Sequence, residues 1–231
     1  EVLADFFGLG LSDPNAFDFS HQIRWSNSGR IARFLSIDLL SELKDYNPAI
    51  ALRDSLPKRV FSMRPLARAQ YLEMKTLLSG YLLSAQGDRM LMGNSVEGRF
   101  PFLDHRVIEF AARVPDSLKL KVLNEKYILK RYAEGKVPDA VLNRPKFPYR
   151  APIAEALVKS TAPEWSRNLL TKDAVNSTHI FDGQRVEKLV NKLSRSAHPP
   201  SEADNMALIA VASCQLLHHA FVQAPEKPSP Q

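Results

Sequence analysis

The chain has 231 residues, 45% of them hydrophobic, a single cysteine and a formal net charge of +6. That length suits one large domain or two small ones with a real core, and one cysteine, Cys214, excludes an internal disulfide framework and fits a reducing compartment. No run approaches the ~20 apolar residues that span a bilayer and no secretory signal is visible, so a cytoplasmic protein without a membrane anchor is expected.

The first residue is Glu1 and the opening EVLADFFG is amphipathic from its start, which reads as a fragment or a processed chain. Gly8 and Gly10 lie in no phosphate-binding context, and the chain contains neither an SGGxDS-type loop nor a Walker sequence, whose backbone N–H groups cradle phosphates. On its own it is not expected to bind ATP well. Asp13-Pro14 is a turn signal, and the stretch to Arg33 is basic and polar, with Trp25 read as a packing anchor. Ser36 to Leu43 reads as a short helix, Asn47-Pro48 breaks the pattern, and Arg53 to Pro65 reads as a connection.

The clearest helix is predicted over Pro65 to Leu83, where Leu66, Ala69, Leu72, Leu77, Tyr81 and Leu82 recur near helical spacing and Pro65 opens the first turn. Gly80 weakens that helix by ~1 kcal/mol, and close approach of another element would offset the loss. A second helix is expected to start at Gly87 and end by Ser95. Asp104 then caps HRVIEFAARV, which Pro115 stops.

Asn124 is read as the cap of a helix from Glu125 to Glu134, with Gly135 as its exit. That places Lys126 in the first turn, where a cation is disfavoured. Beyond a proline-punctuated basic loop, Arg144 to Pro152, helices are expected at Ile153–Ser160, Pro163–Leu170, Gly183–Leu193 capped by Asp182, and Ser201–Phe221. His218 and His219 are adjacent and make poor joint metal ligands, so no metal site is expected. The residues from Ala224 are disordered by composition, giving one domain over 1–223 and a tail over 224–231.

Gly87 to Asp104, GDRMLMGNSVEGRFPFLD, carries the densest information. Asp88, Arg89, Glu97 and Arg99 are interleaved with Met90, Leu91, Met92, Val96 and Phe102. Charges in an apolar segment are either paired or used, because an unpaired buried charge costs several kcal/mol, roughly. Irregular backbone between two packed helices is a place to hold Glu97 and Arg99 inward. On chemistry alone an ion-pair network and a site look alike. Between Lys119 and Arg150 lie nine Lys/Arg against three acids, a local excess equal to the charge of the whole chain. Such a cluster implies a polyanion, either a nucleic acid or the phosphates of a nucleotide.

Three stretches carry a family resemblance: Gln70 to Ser84, the segment Gly87 to Asp104, and NEKYILKRYAEGKVPDAVLNRPKFPYRAP from Asn124 to Pro152. Together they resemble the synthetase domain of glutamine-dependent asparagine synthetases, in order and at suitable spacing, with a fainter likeness through the last helix. Glu1-Val2-Leu3-Ala4 resembles the end of a Gly-Glu-Gly-Ala-Asp-Glu signature in that family, with Glu1 as its last letter.

The resemblance implies several expectations. The chain, mostly α-helical as given, would be the C-terminal portion of an α/β adenine-nucleotide α-hydrolase-like (PP-loop ATP pyrophosphatase) synthetase domain. A preceding glutaminase and pyrophosphate loop, absent here, would be supplied by a missing portion or a separate chain, leaving apolar surface to be covered. The parent would use ATP and Mg to adenylate the aspartate side-chain carboxylate, and glutamine-derived ammonia would then give asparagine. Lys126, in Glu125-Lys126-Tyr127-Ile128-Leu129-Lys130, matches the lysine that contacts ATP phosphates and leaving pyrophosphate in the family. Asp88, Arg89, Glu97 and Arg99 would line the substrate and ATP site, sharing one hollow with Lys126. A homo-oligomer is compatible with all this. Three alternatives stay open: a related β-lactam or macrolactam-forming synthetase, a helical nucleic-acid-binding module, which the lack of a recognised nucleic-acid motif disfavours, and a non-catalytic scaffold.

Overall fold

The computed structural model describes residues 13–145 and 151–223. The expectations for Glu1-Val2-Leu3-Ala4, for Lys146 to Arg150 and for the tail from Ala224 fall outside the described residues. Among those described, the chain is mostly helical, with a single two-stranded hairpin. The described residues separate into two compact units, one containing residues 22–51 and 151–223, the other residues 13–21 and 52–145.

In chain order the helices begin with α1, Gln22–Gly29, followed by a 3-10 turn over Arg30–Phe34. Helix α2, Ile37–Glu42, starts where Ser36 accepts a hydrogen bond from the Leu39 N–H at 3.2 Å. Asn47-Pro48 does not break a pattern; it starts α3, Pro48–Ser55. The Asn47 side chain accepts from the Ala49 and Ile50 N–H groups at 3.0 and 3.2 Å, and Pro48 fills a first-turn position that needs no N–H. A 3-10 turn over Lys58–Ser62 replaces the expected open connection.

The predicted 65–83 helix is longer than expected and changes its winding. Helix α4 covers Pro65–Glu73, Met74–Asp88 continues it in wide i→i+5 turns, and α5 covers Arg89–Gly93 with no break at Gly87. Thr76, Ser79, Gly80 and Gly87 weaken ordinary helical winding here. The Thr76 hydroxyl donates to the Leu72 carbonyl at 2.7 Å, the Arg89 N–H reaches the Ser84 carbonyl, and Gln86 donates to the Tyr81 hydroxyl five residues back at 2.7 Å. A Cβ on Gly80 would meet nothing within 4 Å, so among the described residues no element makes the close approach expected there.

Helix α6, His105–Arg113, is capped by Asp104 as expected, its carboxylate accepting the Arg106 N–H at 2.8 Å. After α7, Asp116–Lys119, the strands β1, Leu120–Lys121, and β2, Asn124–Glu125, pair antiparallel with Lys121 opposite Asn124. Helix α8 is therefore Tyr127–Ala133, later than predicted, and Asn124 belongs to a strand instead of a cap. Gly135, at φ +71, is the left-handed exit. Helix α9, Asp139–Leu142, closes this stretch.

The remaining helices are α10 (Ile153–Leu157), α11 (Glu164–Leu169), α12 (Lys172–Asn176), α13 (Gly183–Arg195) and α14 (Glu202–Phe221). Asp182 accepts the Gln184 and Arg185 N–H groups, and Ser201 accepts that of Asp204, as the sequence predicts. Helix α12, capped by Thr171, is additional to the predicted elements.

The first unit holds a continuous core, in which Val175, Val186, Leu189, Leu208 and Val211 pack with Phe34 and Phe181. Asp204 is buried beside that core. It takes Lys192 at 2.7 Å, Arg33 at 3.4 Å and the Ser201 hydroxyl at 2.8 Å. Cys214, on α14, is half-buried, and burial pushes its thiol above the ordinary value. The second unit has a small core of Leu56, Val60 and Leu72, with Phe17, Leu52, Met63 and Tyr71 against it. There the buried Arg68 guanidinium donates to the Asn15 and Ala16 carbonyls at 3.1 and 3.2 Å, tying the preceding turn to α4.

Candidate functional site

All five residues singled out by sequence fall in the second unit, and all five are exposed. Asp88 ends the wide-turn segment and Arg89 begins α5. Neither side chain makes a hydrogen bond or ion pair among the described residues. Glu97 and Arg99 do meet, at 3.0 Å, but with side chains 73% and 81% exposed. The expectation that they are held inward is corrected: among the described residues nothing covers these two side chains, so both charges keep their water. A pair so exposed contributes ~1 kcal/mol at most. What packs inward at this turn is Gly98, where a Cβ would crowd the Phe100 ring at 2.8 Å.

The strongest polar geometry of the segment is at its end. Arg106 grips the Asp104 carboxylate with two nitrogens, at 3.0 and 2.7 Å. That side-chain bond, together with the smaller effect of the Arg106 backbone N–H, holds the carboxyl below its ordinary value.

Lys126 occupies the junction between β2 and α8, with φ +58 and ψ 32. A left-handed conformation is unusual for lysine. It arises from the hairpin, which must hand the chain to a helix within one residue. Lys126 therefore precedes the helix, and the expected cation in a helical first turn is corrected to a cation on the connecting residue. Its ammonium makes no hydrogen bond or ion pair among the described residues, and none links it to the 88–104 segment.

The surroundings of Lys126 contain lysines that the sequence reading counted in the basic cluster without singling them out. Lys121 lies 4.8 Å from the centre of the Tyr127 ring, with its nitrogen 3.5 Å from the phenol oxygen. Lys130 donates to the Asn124 side-chain oxygen at 2.8 Å, lacing α8 to the hairpin. The Leu118-Lys119-Leu120-Lys121-Val122 alternation is the strand signal that would have revealed this hairpin.

Two cavities lie elsewhere. One of about 510 Å³ in the first unit is lined by Trp165, Leu169, Thr178, Gln215, Leu216 and His218. Its buried Gln215 amide is already satisfied by the Ala174 carbonyl at 2.8 Å and the Thr178 hydroxyl at 2.9 Å. The other, about 230 Å³ in the second unit, lies between Pro14, Phe17, Pro65 and Arg68. Neither is lined by any of the five predicted residues. Among the described residues no group of three or more His, Cys, Asp or Glu side chains is arranged to hold a metal ion, and no helix is long and apolar enough to cross a membrane.

Residues 16–219 match the family model for asparagine synthase. Asparagine synthetase [glutamine-hydrolyzing] 1 of Bacillus subtilis is 39% identical over 183 residues, 78% of this chain and 27% of the relative. A putative asparagine synthetase of Mycobacterium tuberculosis is 32% identical over 171 residues, 72% of this chain and 25% of the relative. Amidase chyE of Penicillium rubens is 34% identical over 154 residues, 64% of this chain and 22% of that protein. The chain thus spans about a quarter of the length of these relatives. No solved structure matches.

Proposed function

This chain belongs to the asparagine synthase family, and we propose that it is the C-terminal part of the synthetase domain of an ATP-dependent, glutamine-using ligase that makes asparagine. In the proposed reaction an aspartate side-chain oxygen attacks the α-phosphorus of ATP. The bond to the β-phosphate oxygen breaks, and pyrophosphate leaves. Ammonia, released from glutamine elsewhere in the parent, then attacks the acyl carbon, and AMP departs with the bonding electron pair. The parent's fold would be the α/β pyrophosphatase-type synthetase domain. The pyrophosphate loop and glutaminase would come from a portion that this chain does not contain.

The observation that carries the reading is Lys126: an exposed ammonium in the family's Glu-Lys-Tyr-x-Leu-Lys context, its backbone set between a hairpin and a helix, and neutralised by no carboxylate among the described residues. As pyrophosphate leaves, negative charge grows on the bridging oxygen, and a fixed cation there stabilises the transition state more than the ground state. The lysines of this region suit ATP phosphates. Mg would travel with those phosphates. In the active protein, Lys126→Ala is expected to lower kcat by about 100-fold or more, read as AMP formation. Loss of less than about threefold would reject the assignment.

Asp88, Arg89, Glu97 and Arg99 are proposed as the substrate-facing wall, completed when the missing portion covers them. An Arg fork suits a carboxylate, so Arg99→Lys should reduce kcat/KM for aspartate with the fold intact, and unchanged kinetics would remove Arg99 from the site. A relative that forms a different amide is the second reading, favoured by the similarity to proteins named amidases. Turnover with aspartate against other carboxylic acids distinguishes the two.

A further inference from the structure

We propose that Lys121 is a second phosphate-binding cation beside Lys126, positioned by the Tyr127 ring; this rests on the reading of Lys126 given above. The lysines of the hairpin and α8 differ in how they are held. A lysine fixed by a carboxylate has its charge largely cancelled. One fixed by an aromatic face or an amide oxygen is oriented while its full charge stays available to an outside anion. Lys121 is of the second kind, lying over Tyr127 at 4.8 Å. So is Lys130, on the Asn124 amide oxygen at 2.8 Å. Lys126 is held by its backbone alone. Among the described residues none of the three forms an ion pair, although Glu125 lies in the same hairpin.

Like charges gathered without counter-charge in one short segment are repulsive until an anion arrives. The backbone gathers them at a cost as well: Val122 and Lys126, at φ +56 and +58, are both non-glycine residues in the left-handed region. Strained positions of this kind are typical of ligand clamps. Two ammonium groups, one over the Tyr127 ring and the other on the residue that precedes Tyr127 in the chain, suit an anion with separated charged oxygens, which means a diphosphate. The ligand class is inorganic pyrophosphate or the β,γ-phosphates of a nucleoside triphosphate. Lys126 would act on the leaving oxygen. Lys121 would hold the outer phosphate in substrate and product alike, so it governs binding more than the chemical step. Tyr127 is then a positioning residue.

The test uses the active protein, with pyrophosphate as product inhibitor and ATP as varied substrate. Lys121→Met and Tyr127→Leu are each expected to raise the inhibition constant of pyrophosphate and the KM for ATP about tenfold, with a smaller fall in kcat. The double variant should be no worse than either single one, because both remove the same contact. Lys121→Arg should retain most of the binding, which a merely structural role for Tyr127 would not require. The proposal is overturned if Lys121→Met shifts neither constant by more than about twofold, or if the two losses multiply. If Lys126→Ala also leaves turnover intact, the reading of Lys126 fails with it. If Lys126→Ala abolishes turnover while Lys121→Met is silent, Lys121 alone is excluded.

Discussion

At φ +58, Lys126 occupies a conformation that costs an L-residue roughly 1–2 kcal/mol. Asn or Gly would sit there more easily, so the side chain is kept for its charge. Lys126→Gly should leave stability near that of the parent, since relief of strain is offset by the larger freedom of unfolded glycine. Lys126→Val should lose about 1–2 kcal/mol, because a β-branched residue tolerates positive φ least. Denaturant midpoints of the two variants in the full-length active protein, where the segment is covered, check this, and equal midpoints would show that the left-handed geometry is not maintained. Asp204 is the residue that sets acid sensitivity in the first unit. Burial pushes its carboxyl up, but the hydrogen bonds from Lys192 and Ser201, with the Lys192 and Arg33 charges, outweigh burial and hold it below the ordinary value. A carboxyl lowered on folding contributes stability that is fully present above about pH 4 and is lost as pH falls through its folded pKa. Asp204→Asn is expected to cost about 1–2 kcal/mol at pH 7, a modest figure because Lys192 and Arg33 are themselves half-exposed or more. The gap between parent and variant should close as the solution is acidified below pH ~4, and a gap independent of pH would refute the pairing.

Among the elements, α13 depends on one close approach. The Gly183 N–H donates to the Asn176 side-chain oxygen at 2.8 Å, and a Cβ on Gly183 would run into the Lys172 carbonyl and sit 2.6 Å from that same Asn176 oxygen. Backbone cannot give way as a flexible side chain would. Gly183→Ala is expected to cost about 1–3 kcal/mol, measured as a fall in the melting temperature of the first unit, and a neutral substitution would mean that α12 and α13 are not seated as described. The starts of such elements were legible from sequence because a cap is local: Ser36, Asp104, Asp182 and Ser201 each bond an N–H two or three residues on. Asn47-Pro48 carried the same signal, and only its reading as a breaker hid it. The hairpin before Lys126 announced itself only by the short alternation over 118–122, with no turn signal beside it. Its turn places Val122 at φ +56, against the preference of a β-branched residue, so no rule of turn composition points to it. The wide winding of Met74–Asp88 was equally unreadable, since apolar spacing near 3.6 persists there without any buried side chain to enforce it. The five candidate residues came from family likeness and local chemistry, neither of which reports exposure.

Across the molecule, burial is unevenly distributed. From Met74 to Pro145 a single side chain, Val114, is buried. Ordering each residue of that stretch costs roughly 1–2 kcal/mol in backbone entropy alone, whereas one buried apolar side chain contributes about 1.5–3 kcal/mol. The same stretch exposes Met92, Phe102, Phe110 and Tyr132, and its hairpin tip presents Val122 and Leu123 at 86% and 94% exposure. An apolar tip on a strained turn has no rationale in water; against a second surface it has one. If the rest of a synthetase domain covers this segment as proposed, its order would depend on that cover, and assembly and formation of the site would be one event. Hydrogen exchange tests this directly. In the chain alone, amides of 74–145 should exchange at rates close to those of an unfolded chain, while amides at Leu208, Val211 and Ala212 on α14, buried in the core of the first unit, should be protected. Addition of the remainder of a full-length relative, as a separate polypeptide, should slow exchange across 74–145 and leave α14 unchanged. Protection of 74–145 equal to that of α14 in the chain alone would show that the segment stands by itself, and the link between covering and site formation would be lost.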